Sequence, residues 1–383
     1  MASETKKRTR QRDQVEEQGV PAEGAVVNGQ DLEIPPRIEV KHVFTNYQAG
    51  KYGHKDVGLS EEQVLGMYRN MLLQRRFEER AAQMYGKQKI AGFLHLYIGQ
   101  EAVSTGAAQA IRIGHDSVIT AYRDHGIGLA LGMTADECMA ELFGKIDGCS
   151  RGKGGSMHYF KAEKRFFGGH GIVGAHVPVG TGIAFAHKYR EDGGVCLTFL
   201  GDGAMGQGAV HEAFNLAALY ELPVIFIIEN NQYAMGTAID RAFAETVFIK
   251  HAISNNMEAA MVNGMDVFAV CKAIQDHAEL ARRFKPSILE IRTYRYRGHS
   301  MSDPGKYRTK EELERKKQED PIIRLKAYIR QHEIASNEDL DRIDEEVKEE
   351  VMRAVEFAEN SPLPPLETIY EDVYTQEDYP FLA

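Results

Sequence analysis

Residues 199–210 read FLGDGAMGQGAV. Gly201, Gly203 and Gly206 satisfy G-x-G-x-x-G, the turn that sets a dinucleotide pyrophosphate on a helix N-terminus. Asp202, however, stands between the first two glycines, where its carboxylate would press against that pyrophosphate in a partly dehydrated site. A hard divalent cation removes the conflict. Magnesium held by Asp202 at the carboxyl end of a strand can bridge to phosphate oxygens, which nearby helix N–H groups also hold.

The flanks support such a strand end. VCLTFL (195–200) and VIFIIE (224–229) read as buried strands, and SILEIRTYRY (287–296) as a third. Between the first two, Val210, Phe214, Ala217 and Ala218 fall on one helical face. Short apolar runs alternating with helical patterns predict an α/β fold, a mostly parallel sheet with helices on both faces. The second strand ends in ENNQYAMG (229–236), where Asn231, 29 positions after Asp202, offers a neutral amide oxygen. The tight turn beyond it could aim the Tyr233 backbone carbonyl at the same ion, so the expected metal ligands are Asp202, Asn231 and Tyr233. Glu229 keeps the dinucleotide alternative open, because it could hold a ribose hydroxyl.

Working outward, Ser60 is placed to cap a core-facing helix that stops at Gly86. A second helix, about 101–111, is lined by Ala102, Gly106, Ala107 and Ala110, which let another backbone approach. The glycine-rich stretches GCSRGKGGSMH (148–158) and FFGGHGIVGAHVPVG (166–180) have backbone suited to an anion or simply to turns, and the first lacks Walker A spacing. RGHSMSDPGKYRTK (297–310), interrupted by Pro304 and Gly305, reads as an exposed, mobile loop. KEELERKKQEDP after it reads as a solvated face, and Leu340, Ile343, Val347, Val351 and Val355 form an apolar helical stripe. The expected organisation is a polar tail over 1–40, an α/β domain over 41–330 and a helical C-terminal extension over 331–383.

With 383 residues, 43% hydrophobic content and a formal charge of -10, the chain can bury a full core and has no basic footprint for nucleic acid. It contains no apolar run long enough to span a membrane. Its four cysteines form no C-x-x-C pair, which suits a reducing compartment. The N-terminal tail, basic and then acidic, lacks an apolar segment, so a cytoplasmic location is expected ahead of a mitochondrial matrix one. His125, His158, His170 and His176 have no zinc-type spacing.

GFLHLYIGQEAV, TAYRDHG, GKGGSMH, GGHGIVGAHVPVG, GDGAMGQGAVHEAFNLAAL, ENNQYAMGT and TYRYRGHSMSDP follow one another in an order that resembles the alpha subunits of the thiamine diphosphate-dependent 2-oxo acid dehydrogenases, across about residues 55–375. The resemblance implies the thiamine diphosphate-binding fold, with thiamine diphosphate and magnesium as cofactors. By matching motif it makes Tyr122, Arg123, Arg295 and His299 diphosphate or active-centre contacts. Gly171 and Val173 become backbone contacts of the aminopyrimidine, Gly203 and Ala204 N–H donors to the diphosphate, and His95 a histidine on the substrate approach. His95 and His299 are thus the catalytic candidates.

The family's activating glutamate belongs to a beta subunit, so the resemblance implies half an active site in an alpha2beta2 heterotetramer. The implied reaction decarboxylates a 2-oxo acid and reductively acylates a lipoyl group, with the 297–310 loop ordering over the cofactor. YRYRGHSMSDP favours pyruvate, and with it the lipoyl domain of dihydrolipoyl acetyltransferase, over branched-chain 2-oxo acid and acetoin relatives. Ser300 matches a phosphorylatable serine, but the segment after SDPG reads KYR, one residue short and without the second serine. A nicotinamide-dependent oxidoreductase and a non-catalytic scaffold are the readings from other classes.

Overall fold

Phe226 and Ile227 are chain neighbours, both fully buried, yet they belong to separate hydrophobic clusters. Alternation between two cores requires a sheet covered on both faces, and that is what the computed structural model contains. It describes residues 44–372; the tail expected over 1–40 lies outside them.

In chain order the first half comprises β1 (Thr45–Tyr47), α1 (Glu61–Gly86), α2 (Glu101–Ala110), β2 (Ser117–Ala121), α3 (His125–Ala130), α4 (Ala135–Leu142), β3 (Phe166–His170), α5 (His176–Arg190) and β4 (Cys196–Gly201). The second half comprises α6 (Gly208–Leu219), β5 (Val224–Asn230), β6 (Tyr233–Ala234), β7 (Thr237–Ala238), α7 (Ile239–Ala242), α8 (His251–Ser254), β8 (Glu258–Asn263), α9 (Val267–Arg282), β9 (Ser287–Arg292), α10 (Lys310–Lys317), α11 (Pro321–Gln331) and α12 (Asn337–Asn360). Seven strands form one sheet in the order β1-β8-β9-β5-β4-β2-β3, and every pairing is parallel. β6 and β7 make a separate antiparallel ribbon.

Val195, Leu197 and Phe199 face the cluster shared with α1, α2, α9 and α12, whereas Cys196 and Leu200 face the one shared with α5 and α6. α1 starts where expected, with Ser60 and Gln63 closing a reciprocal capping box. Gly106 performs the close-approach role read from α2: a Cβ there would lie 2.8 Å from Val270 of α9. The third strand is shorter than expected, ending at Arg292 rather than 296. Thr293 N–H still reaches the Asn230 carbonyl at 3.0 Å, but Tyr296 N–H donates to the Ile98 carbonyl at 3.0 Å, outside the sheet.

The C-terminal stripe packs inward. Leu340, Val347 and Val351 are buried in the cluster that also holds α1 and α4 residues, and Ile343 and Val355 pack against it. Arg76 clasps Asp344 at 2.8 and 2.9 Å, and Arg69 pairs with Glu350. Among the described residues no helix is long and apolar enough to cross a membrane.

Candidate active site

Because the strands are parallel, their carboxyl ends open on one side, and a cavity of about 250 Å³ lies there. Tyr122 and Arg123 reach it from the end of β2, Val173, Gly174 and His176 from β3, Gly201 to Ala204 from β4, Glu229 and Asn231 from β5, and Arg295 from beyond β9. Two helices begin at this edge, α5 at His176 and α6 at Gly208, and neither has a side chain capping its N-terminus.

Asp202 is 2% exposed, and its Oδ2 is buried without a hydrogen-bond partner. Burial pushes its carboxyl up to about 6, against the pull of the Arg295 guanidinium and the backbone N–H groups of 202 and 203. Asn231 is loosely held: Nδ2 donates to Gln100 Oε1 at 3.3 Å and Oδ1 accepts from Tyr233 N–H at 3.4 Å. The Tyr233 carbonyl accepts from Arg295 Nη1 at 3.3 Å, so the cation expected beside it would have to share or displace that contact. Among the described residues no cluster of three or more histidine, cysteine or acidic side chains could hold a metal unaided. The Asp202 carboxylate, the Asn231 amide oxygen and the Tyr233 carbonyl are all hard oxygen donors, a set whose chemistry would fit magnesium.

Among the described residues neither Arg123 nor Arg295 has a carboxylate partner. Arg123 donates to the carbonyls of Leu96 at 2.7 Å and His299 at 2.9 Å, pairing with neither Asp124 nor Glu137. Arg295 donates to the carbonyls of Met235 at 2.9 Å and Arg297 at 3.2 Å, and to the Tyr307 hydroxyl at 2.8 Å. Burial, then repulsion from Arg295, lowers Arg123 to about 10. Two buried guanidinium charges satisfied by neutral oxygens leave positive potential at the cavity wall, suited to a polyanion.

His95, Tyr122 and His299 cluster beside this cavity: His299 meets His95 and Tyr122 edge to face with centroids 5.1 and 5.5 Å apart, and His95 is tilted against Tyr122 at 4.8 Å. His95 and His299 each have a buried Nδ1 with no partner. Burial and the Arg123 charge lower His95 to about 3 and His299 to about 4, so both rings are neutral at physiological pH.

The structure adds to three expectations. Gly171 is exposed and lies outside the cavity lining, to which its neighbours Val173 and Gly174 contribute. The 297–310 loop is not simply exposed: Ser300 is 7% exposed, Met301 N–H donates to the Leu94 carbonyl at 2.9 Å, and Arg308 donates to the carbonyls of residues 295, 296 and 297. Glycine at 203 answers to packing as well as to a ligand, since a Cβ there would sit 2.6 Å from the Ala234 Cβ.

Sequence reasoning missed Gln100 and gave Glu229 a different part. Among the described residues Gln100 Nε2 is buried, partnerless and on the wall just before α2; it lies within GFLHLYIGQEAV, but there the resemblance singles out only His95. Glu229 accepts from the Tyr97 hydroxyl, and burial raises its carboxyl to about 7, so it is not a free acid awaiting a ribose. His176 donates Nε2–H to the Phe199 carbonyl at 2.6 Å, leaving a bare Nδ1.

The family model of the dehydrogenase E1 component matches residues 69–367. The chain is 50% identical over 315 residues to the pyruvate dehydrogenase E1 component subunit alpha of Rickettsia bellii (strain RML369-C), covering 82% of this chain and 96% of that one. It is 52% identical over 316 residues to the same-named subunit of Rhizobium meliloti (strain 1021), covering 82% and 90%. With the mitochondrial one of Sminthopsis macroura it shares 47% identity over 326 residues, covering 84% and 88%. The chain belongs to the dehydrogenase E1 component family.

Proposed function

We propose that this chain is the diphosphate-holding alpha subunit of a pyruvate dehydrogenase component and acts with a beta subunit on thiamine diphosphate and magnesium. The observation that carries the reading is the partnerless, buried carboxylate oxygen of Asp202 beside two arginines that no acid neutralises. A cation and a polyanion entering together satisfy all three groups.

Asp202, Asn231 and the Tyr233 carbonyl would hold magnesium. Gly203 and Ala204 N–H groups, Tyr122, Arg123, Arg295 and His299 would face the diphosphate, and the backbone at Gly171 and Val173 the aminopyrimidine. At Gly201 a Cβ would meet nothing within 4 Å, leaving that volume to the ligand. The cofactor supplies the electron sink for decarboxylation. The neutral rings of His95 and His299, whose buried Nδ1 atoms have no partner among the described residues, can orient the 2-oxo acid or pass a proton.

The beta subunit supplies the activating glutamate in an alpha2beta2 assembly. The two-carbon unit passes to the lipoyl domain of dihydrolipoyl acetyltransferase, whose disulfide is reduced, in the cytoplasm. The test is calorimetric titration of thiamine diphosphate into the co-purified enzyme with and without magnesium, followed by a 2-oxo acid panel. Magnesium-dependent binding lost in Asp202→Ala, with pyruvate preferred, is expected. Metal-independent binding, or preference for a branched-chain acid, contradicts the respective part.

A further inference from the structure

The metal end of the cavity is fastened from outside. The backbone of Tyr233 itself is loosely held, its N–H reaching Asn231 Oδ1 at 3.4 Å and its carbonyl accepting from Arg295 at 3.3 Å. The Tyr233 side chain ties the turn to a separate element, its hydroxyl donating to Glu312 Oε1 and Oε2 at 3.0 and 3.1 Å. The same carboxylate accepts from the Tyr294 hydroxyl at 2.6 Å, and Tyr294 directly precedes Arg295.

Glu312 sits in the first turn of α10, a helix with no fully buried residue that begins where the 297–310 loop ends. Thr309 caps it, accepting from Glu312 N–H at 3.1 Å. The loop has its own framework: the Asp303 carboxylate accepts from His299 N–H at 2.6 Å, Gly305 N–H at 2.8 Å and the Tyr307 hydroxyl at 2.8 Å. The Tyr307 ring also lies tilted against that of Tyr233, with centroids 5.2 Å apart. Loop, α10 and both phenols are thus tied into one set of hydrogen bonds, Asp303 to Tyr307, Tyr307 to Arg295, and Glu312 to Tyr233 and Tyr294.

We infer that Glu312 is a positioning residue: through the Tyr233 and Tyr294 hydroxyls it sets the Tyr233 carbonyl and Arg295 at the metal end, and so is the link by which the loop ordering that the resemblance implies acts on magnesium diphosphate binding. The inference rests on the reading above. Coupling of this kind is reciprocal, so the strap that tightens the ligand must in turn be tightened by it. A purely structural Glu312 would lower stability without linking the two.

The assembled enzyme is titrated with magnesium at saturating thiamine diphosphate, and trypsin cleavage at Arg297, Lys306, Arg308 and Lys310 is followed with and without both. In the unaltered enzyme the pair should slow cleavage about tenfold or more; in Glu312→Ala that protection should largely vanish and the magnesium dissociation constant rise about tenfold. Tyr233→Phe, which keeps the carbonyl and the bond from Tyr294, should move both readouts the same way by less. Protection and magnesium affinity that change independently in these variants overturn the inference alone. Cofactor binding without magnesium in the unaltered enzyme overturns both the inference and the reading beneath it.

Discussion

Two glycine-rich loops of this chain invite the same reading and do opposite things. At 148–158 the backbone folds around a carboxylate from its own core: Glu141, fully buried on α4, accepts N–H bonds from Ser150 at 2.8 Å, Gly152 at 2.9 Å, Gly154 at 2.7 Å and Gly155 at 2.9 Å. At 201–206 the buried carboxylate belongs to the loop itself, and Asp202 Oδ2 finds no partner. Glycine spacing therefore marks backbone able to surround an anion, but not whose anion it is. The first loop is closed on itself; among the described residues the second is left incomplete, which is the feature that supports the proposed ligand site.

The largest effect should come from breaking the closed loop. Glu141→Ala strands four backbone donors and should cost roughly 3–5 kcal/mol in denaturant unfolding, with little direct effect on the cavity. In the open loop the sign should reverse. Asp202 has a folded pKa raised to about 6 above a reference of 3.8, so its ionisation penalises the fold above about pH 6 and not below about pH 4. Asp202→Asn should thus stabilise the ligand-free protein by about 2 kcal/mol at pH 7.5. That gain should shrink towards zero near pH 4 in paired unfolding curves, while magnesium binding is lost.

A smaller effect sharpens the geometry. Gly203→Ala should cost roughly 1–2 kcal/mol and weaken magnesium binding, because the new methyl meets Ala234. Adding Ala234→Gly should restore both in unfolding and titration assays. Smallest, and remote from either loop, Ser60→Ala removes the α1 cap and should lower stability by about 1 kcal/mol with cofactor affinity unchanged.

Much of this was legible before any coordinates. Strand runs rich in Val, Ile and Phe can only be buried on both faces, which fixes a parallel sheet, and a carboxylate inside a phosphate turn is a contradiction visible in three letters. What stayed hidden depends on distant partners. Nothing near Glu141 announces that it will fill the 148–158 loop from another element. Gln100 sits in GFLHLYIGQEAV with nothing to mark its amide as facing the cavity, and Glu229 is neutralised as a ribose candidate only by Tyr97, 132 positions away. The 297–310 loop lacks apolar periodicity because main-chain and arginine hydrogen bonds, not side-chain burial, hold it.

The central claim is that Asp202 and Asn231 share a divalent ion with a diphosphate. It is tested most directly by an anomalous-scattering map of the assembled enzyme crystallised with thiamine diphosphate and manganese in place of magnesium. The account predicts one strong peak about 2.2 Å from an Asp202 carboxylate oxygen and the Asn231 amide oxygen, contacting diphosphate. A diphosphate bound there with no peak, or a peak away from both side chains, would contradict it.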